Sequence, residues 1–408
     1  MSDEAQSQES IVDSTYGNQS PQHRSPVPSP ITDFASWHLP RKQWVREVQW
    51  AEQCRRLIRD GALADDQPVR YLTLPGNDLL DIHCVGEICQ STDRILRYLG
   101  FHSRLGQADN RARVSLAEQV VRNQVPIHDR SLIVNYDVLT LGSSKSLATY
   151  ALKPFQSFDL VNLDVCDSFA DRDHRSSHQA VRKILERQIS TRRQSWLLFL
   201  TSGCDPGSIP DSDWSGYVEI LNENIANQQF AEQLAGALGQ QTDQLSNHLS
   251  LSMSDLARHA TLAKLFSIGI GKWLVRCVSD NRWNVSMPSS ACYRRGMYNH
   301  EHQDQIPDHP EMVSLVFRFD PIDETIQDSS SFGTLGGSIS ADPQPIVCGS
   351  EPALAIAMAG RLRQMRDLDD HFALDSESEV NMRYRDRTEN LLRDRNYDIG
   401  AYRRFVGE

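Results

Sequence analysis

The residues best placed to do chemistry stand at the ends of apolar runs. In Leu160-Val161-Asn162-Leu163-Asp164-Val165-Cys166-Asp167 the aliphatic side chains read as a strand buried on both faces, and the run closes on two carboxylates. Residues 131–137 repeat the design, ending at Asp137, and residues 70–76 end in Leu74-Pro75-Gly76, a tight turn that a glycine permits. In an open α/β sheet such strand ends share one edge, and ligands bind there. A carboxylate at that edge can orient or deprotonate an acceptor, or hold a cationic or donor-rich ligand. Neighbouring strands lie about 4.8 Å apart, so Asp137 and Asp164 are expected to repel each other across a shared cleft. Asp164→Asn is then expected to spare the fold or even stabilise it. Cys166, between acids, should have a raised pKa, the wrong direction for a nucleophile.

Other chemistries are weaker. His300, His302 and His309 sit with Glu301, Asp304, Asp308 and Glu311 in what reads as a hydrated loop, with no scaffold for a metal. His174 and His178 follow the acidic strand and read as a solvated helix start, within reach of general-base work. No G-x-S-x-G elbow precedes a helix and no G-x-x-x-x-G-K-[ST] loop occurs, which disfavours α/β-hydrolases and P-loop NTPases. Without G-x-G-x-x-G a nicotinamide-dependent oxidoreductase is disfavoured as well. The eight cysteines include no C-x-x-C pair, which argues against a zinc site or a disulfide framework.

The elements that must position these residues follow from the pattern. Residues 1–33 are polar, rich in Pro, Ser and Gln, and are expected to be disordered and dispensable for folding. Residues 34–67 form a helical lead-in opened by Pro40. Its Trp37, Trp44 and Trp50 mix with Arg41, Lys42 and Arg46. Such a face suits stacking and phosphate contact, so nucleic acid is a candidate partner through Trp37, Arg41, Lys42 and Arg46; an amphipathic helix docking its aromatics on the core is the competing reading. From 68 to 322, strand and helix alternate. Strands are expected near residues 70–74, 94–101, 131–137, 158–166 and 195–201, and helices between them. A largely helical region over 214–267 follows. Residues 272–278 and 283–287 then read as strands joined by a turn, and residues 311–319 as one more. With no helix between them, these last strands should pair antiparallel. Residues 323–350 read as a linker and 351–408 as a small helical C-terminal appendage.

The expected architecture is therefore α/β: a doubly wound, mostly parallel sheet with an antiparallel C-terminal edge. A net charge of −12 argues against a generally nucleic-acid-coating surface. No apolar run approaches the roughly 20 residues of a membrane span, and no apolar leader is evident, so a cytoplasmic protein with no membrane association is expected.

This order of elements, over residues 68–320, resembles the class I S-adenosylmethionine-dependent methyltransferases. The resemblance implies S-adenosylmethionine as cofactor. Gly76 would let it approach the backbone, and Asp78 with the following helix N-terminus would line its amino-acid end. Phe101 and His102, at the place where the family has a ribose-binding acid, would flank the ribose or adenine. Asp137 would reach the adenine amine. Asn162-Leu163-Asp164-Val165-Cys166-Asp167 stands where the family has an Asp/Asn-Pro-Pro-aromatic motif; Asp164 fits by type, Val165 and Cys166 replace the prolines, and Asp167 replaces the aromatic. Asn162 would line the cofactor site, with Asp164 and Asp167 facing the reacting methyl group. Trp37-His38-Leu39-Pro40-Arg41-Lys42-Gln43, with Leu74-Pro75-Gly76, Leu99-Gly100-Phe101 and Asn162-Leu163-Asp164, also resembles a methyltransferase-like branch found in bacterial mobile-element and antiviral-defence neighbourhoods. The alternative function is a catalytically inactive sheet reused as a binding module with protein partners.

Overall fold

The computed structural model describes residues 29–63, 67–143, 145–169, 177–257, 260–278, 283–296, 307, 309–322, 351–372 and 379–407, except the side chains of Cys166 and Asp167. The acidic and histidine-bearing segments at 170–176 and 297–306, Asp308 and the expected linker lie outside the described residues, as do residues 1–28.

Eight strands form one sheet: β1 Val69–Thr73, β2 Leu96–Phe101, β3 Leu132–Val134, β4 Leu160–Ser168, β5 Trp196–Gly203, β6 Trp283–Tyr293, β7 Met312–Pro321 and β8 Arg366–Asp367. Their order is β3-β2-β1-β4-β5-β7-β6-β8. The pairs among β1 to β5 are parallel, while β7 runs antiparallel to both β5 and β6. The expected parallel sheet with an antiparallel edge is present. Successive residues of each strand feed opposite faces. Leu198 and Leu200 join one core with Phe266, Leu274 and Met358, while Leu197 and Phe199 join the other with Trp50, Ile82 and Val121. The helices Ser177–Thr191 and Thr261–Val278 contribute to the first core, and Leu80–Ser91 and Ala108–Gln124 to the second.

Three expectations need correction. Residues 272–278 are not a strand but the last turns of the helix Thr261–Val278, which buries residues on nearly every side. A helix enclosed all round has no polar stripe, so a short apolar piece of it has the pattern of a buried strand. The helix expected between β3 and β4 is only the short Ala148–Ala151, preceded by a 3-10 turn, Val138–Gly142. The expected tail also ends early. Ile31 pairs with the C-terminal segment, its N–H donating to the Asn396 carbonyl (2.9 Å) and its carbonyl accepting from the Asp398 N–H (2.9 Å). The two ends of the described chain thus meet beside the turn after β1. The C-terminal region is helical, and its first helix, Glu351–Arg361, puts Ala355, Met358 and Ala359 into the first core.

Candidate functional site

The carboxyl ends of β1 to β4 open into a cavity of about 260 Å³, lined among others by Gly76, Asp78, Phe101, His102, Asp137 and Asp164. Parallel register makes this so: Thr73 stands beside Gly100 and Asn162, Phe101 beside Val134, and Asp164 beside Thr201.

The turn after β1 is the floor. Its path is fixed by packing, since a Cβ on Gly100 would stand 2.9 Å from the Pro75 ring. Gly76 has no such constraint: a Cβ there would meet nothing nearer than Trp37 Nε1, at 3.8 Å. The turn ends at Leu79, which takes a left-handed conformation (φ 51°) before the helix Leu80–Ser91. For a non-glycine residue this costs about 1–3 kcal/mol and persists only where the surroundings enforce it.

Asp78 supplies that enforcement. Its Oδ2 accepts from His38 Nε2 (2.9 Å) and its Oδ1 from the Tyr397 hydroxyl (2.7 Å) and Arg113 (3.5 Å), while Arg395 Nε donates to its carbonyl (2.6 Å). Ala35 N–H donates to His38 Nδ1 (3.1 Å), which leaves Nε2 as the protonated nitrogen. Burial alone would raise the Asp78 pKa; the hydrogen bonds from His38 and Tyr397 and the charge of Arg113 outweigh it and hold the carboxyl at about 2. The carboxylate expected to meet a ligand is therefore turned into the clamp beneath it.

Asp81, one turn on, accepts from the Tyr71 hydroxyl (3.0 Å) and from Thr73. Asn162 lies behind this pair, wholly buried, donating to the Tyr71 hydroxyl (2.8 Å). It does not line the cavity, which corrects its expected place: its side chain points to the β1 side of the sheet rather than to the open edge. At the end of β2, His102 Nε2 donates to Asn77 Oδ1 (2.9 Å) and Nδ1 accepts from the Arg104 N–H (3.3 Å); burial holds the imidazole below its ordinary pKa. Asp137 caps the turn after β3, accepting from the Leu139 N–H (2.9 Å).

Asp164 brings the largest surprise. Lys42 Nζ donates to its Oδ1 at 2.7 Å, to Thr201 Oγ1 at 3.3 Å and to the Tyr293 hydroxyl at 3.5 Å, and lies 5.1 Å from the centre of the Trp50 ring. The expected repulsion between Asp137 and Asp164 does not arise: β2 and β1 lie between β3 and β4, which sets the two strand ends about 14 Å apart, and the partner of Asp164 is an internal cation. The lead-in explains how. Pro40 starts the helix Pro40–Trp44, a π-helical stretch Val45–Trp50 follows, and Trp50 stacks on Phe199 of β5 (5.5 Å, 26°). Gln49 Nε2 donates to the Ser314 carbonyl (2.9 Å) and pins the stretch to β7.

The expected cationic face on this helix is accordingly turned inward. Lys42 and Arg46 are each 4% exposed. Arg46 donates to the Trp37 carbonyl (3.0 Å), and Arg41 pairs with Asp369 (2.6 Å). Aromatic burial carried the cations with it, the opposite of an outward-facing nucleic-acid stripe.

Residues the sequence did not single out complete the cavity: Tyr293 at the end of β6, Arg295 just after it and Met312 at the start of β7. No local motif marks them; they reach the site through the antiparallel pairing of β6 and β7. His178 is engaged in packing, with Tyr217 (2.7 Å) and the edges of Phe169 and Trp273. Glu47, Cys84 and Glu87 approach one another elsewhere, but Arg387 pairs with both carboxylates and burial pushes the Cys84 thiol up to about 12, so this group is not arranged for a metal. No helix among the described residues is long and apolar enough to cross a membrane.

The strand order, the antiparallel insertion of β7 between β5 and β6 and a cavity at the carboxyl ends of β1 to β4 define a mixed α/β fold, a mostly parallel sheet with an antiparallel edge. The particular family is given by sequence: a family model described as PP_RS20740-like matches residues 31–407, and the chain belongs to that family. None of the curated proteins matches it. Among solved structures it is similar to a protein assigned as a class I S-adenosylmethionine-dependent methyltransferase from Listeria monocytogenes (10% identity, TM-score 0.30), covering 68% of this chain and 61% of that one. It is also similar to the METTL16 methyltransferase domain (9%, TM-score 0.28; 68% and 84% covered) and to loganic acid methyltransferase with SAH (10%, TM-score 0.24; 73% and 99%).

Proposed function

We propose that the cavity binds S-adenosylmethionine and that the protein is a methyltransferase. The observation that carries this is the convergence of Gly76, Phe101, His102, Asp137 and Asp164, from four strand ends, on one cavity. The donor set fits. Trp37 Nε1 and Arg46 Nε line the cavity region without hydrogen-bond partners, and a ligand carboxylate would satisfy them; Asp137 offers an acceptor for an adenine amine. Gly76 leaves room for close approach, and Phe101 and His102 form the wall for the ribose and base. Asp78 acts beneath the ligand, holding the turn.

S-adenosylmethionine, when bound, supplies an electrophilic methyl group. The chain supplies alignment. Asp164, fixed by Lys42, orients the acceptor at the β4 end, with Tyr293 beside it. Asp167 belongs to the same strand end, its side chain outside the described residues.

A second reading has its own observation. Lys42 occupies Oδ1 of the β4 carboxylate, and the β2 end carries His102 where a ribose-binding acid is expected. Both suit an inactive methyltransferase-like binding module, in a multi-protein system such as antiviral defence. Calorimetry decides: S-adenosylmethionine and its demethylated product should both bind, and NAD should not. Binding of NAD, or of none of the three, overturns the proposed activity and favours another ligand or the binding module.

A further inference from the structure

One cation in the cavity has an edge that makes no hydrogen bond among the described residues. Arg295 follows β6, its N–H anchored to Glu311 Oε2 (2.9 Å), and its guanidinium lies over the end of β5, Nη2 only 2.9 Å from where a Cβ on Gly203 would stand. Nε and Nη2 are both buried and have no hydrogen-bond partner; the nearest acid is Asp205, whose Oδ2 stands 3.8 Å from Nη2, and which also accepts from Ser208. These two nitrogens form the side-on edge of the guanidinium, the edge that takes both oxygens of a carboxylate or phosphate at once. A guanidinium cannot shed its charge to relieve burial. Its edge, held only by the long contact to Asp205, therefore leaves both nitrogens open to a hydrogen-bond acceptor from outside the chain.

The surroundings favour an acid over an amine. A cationic amine would meet the Arg295 guanidinium as a like charge, and Lys42 already takes Oδ1 of Asp164, leaving only Oδ2 to orient the acceptor. Lys42 is paired with Asp164 and Arg295 stands near Asp205, so what selects an oxyanion here is the fork of the guanidinium edge rather than a net charge. We propose that the acceptor is an acid, a molecule whose carboxylate or phosphate is received by the Nε–Nη2 edge of Arg295, next to the Lys42–Asp164 pair. This rests on the methyltransferase reading for the word acceptor, but not for the binding itself.

The test titrates benzoate, phenyl phosphate and benzylamine into the full chain, with and without S-adenosylhomocysteine, for the wild type, Arg295→Gln, Arg295→Lys and Gly203→Ala. Benzoate or phenyl phosphate should bind the wild type, and which of them binds names the oxyanion. Arg295→Gln should weaken that binding roughly tenfold or more while leaving S-adenosylhomocysteine affinity unchanged. Arg295→Lys should restore little, because an ammonium lacks the fork. Gly203→Ala displaces the guanidinium without removing it and should weaken the same acids, which covers the case of an unfolded Arg295→Gln. Preference for benzylamine, failure of both acids to bind the wild type, or equal acid affinity in Arg295→Gln and Gly203→Ala would overturn the proposal. Loss of S-adenosylhomocysteine binding alone counts against the cofactor reading and leaves the acid titration to judge this one.

Discussion

The two halves of the cavity are built on opposite plans. Beneath the β1 turn, Asp78 and Asp81 are satisfied by the chain itself, through His38, Tyr397, Arg113, Tyr71 and Thr73. At the β5–β6 end, Arg295 keeps a buried edge without a hydrogen-bond partner. A satisfied polar network rigidifies what it joins, whereas an unsatisfied edge costs stability until a ligand fills it. The contrast separates two tasks: Asp78 and Asp81 fix the turn as a mould, and the Arg295 edge is left to recognise what arrives.

The sharpest way to break the mould is Asp78→Ala. It strands His38, Tyr397 and Arg113 in a buried site, and chemical denaturation should show a loss of about 3–5 kcal/mol. The pH dependence is a second measure. The Asp78 pKa is lowered from 3.8 to about 2 on folding. Its stabilisation is therefore complete above about pH 4 and is lost as pH falls towards 2. Asp78→Asn should flatten that acid limb; an unchanged limb would mean the clamp is not coupled to folding.

Asp164→Asn comes next. It leaves the Lys42 ammonium buried beside a neutral amide, and should destabilise by about 2–3 kcal/mol, less than the full cost of breaking a buried pair because Asp164 is partly exposed. Adding Lys42→Met should recover most of the loss. A stabilised Asp164→Asn would mean that the Lys42–Asp164 pair does not hold the β4 end.

Gly76→Ala separates fold from function. With nothing but Trp37 Nε1 near the new methyl group, the melting temperature should hold, while S-adenosylhomocysteine affinity should fall roughly tenfold, or about 1.4 kcal/mol. Unchanged affinity would place the ligand away from this turn. The smallest effect is expected from Asp137→Ala. It removes one capping bond from a short turn, about 1 kcal/mol by thermal melting, and it should weaken cofactor affinity by more than it weakens the fold.

The amino-acid sequence by itself determined the sheet and its ligand edge. Apolar runs closing on Gly76, Phe101, Asp137 and Asp164 are local signals, because strand burial and turn chemistry are written in adjacent residues. It did not determine the helix Thr261–Val278, where enclosure on all sides erased the periodicity that separates helix from strand. Nor did it determine the partners. Lys42 and Asp164 are 122 residues apart, and Asp78 and Tyr397 are 319 apart. The lead-in helix read as packing its aromatics on the core somewhat better than as a nucleic-acid face, with its cations wet in either case. Only the stacking of Trp50 on β5 decided it, carrying Lys42 into the site. Asn162 shows the same limit on a smaller scale: its position on β4 was legible, but the face it points to, and so its contact with Tyr71 instead of the cavity, depended on the sheet around it.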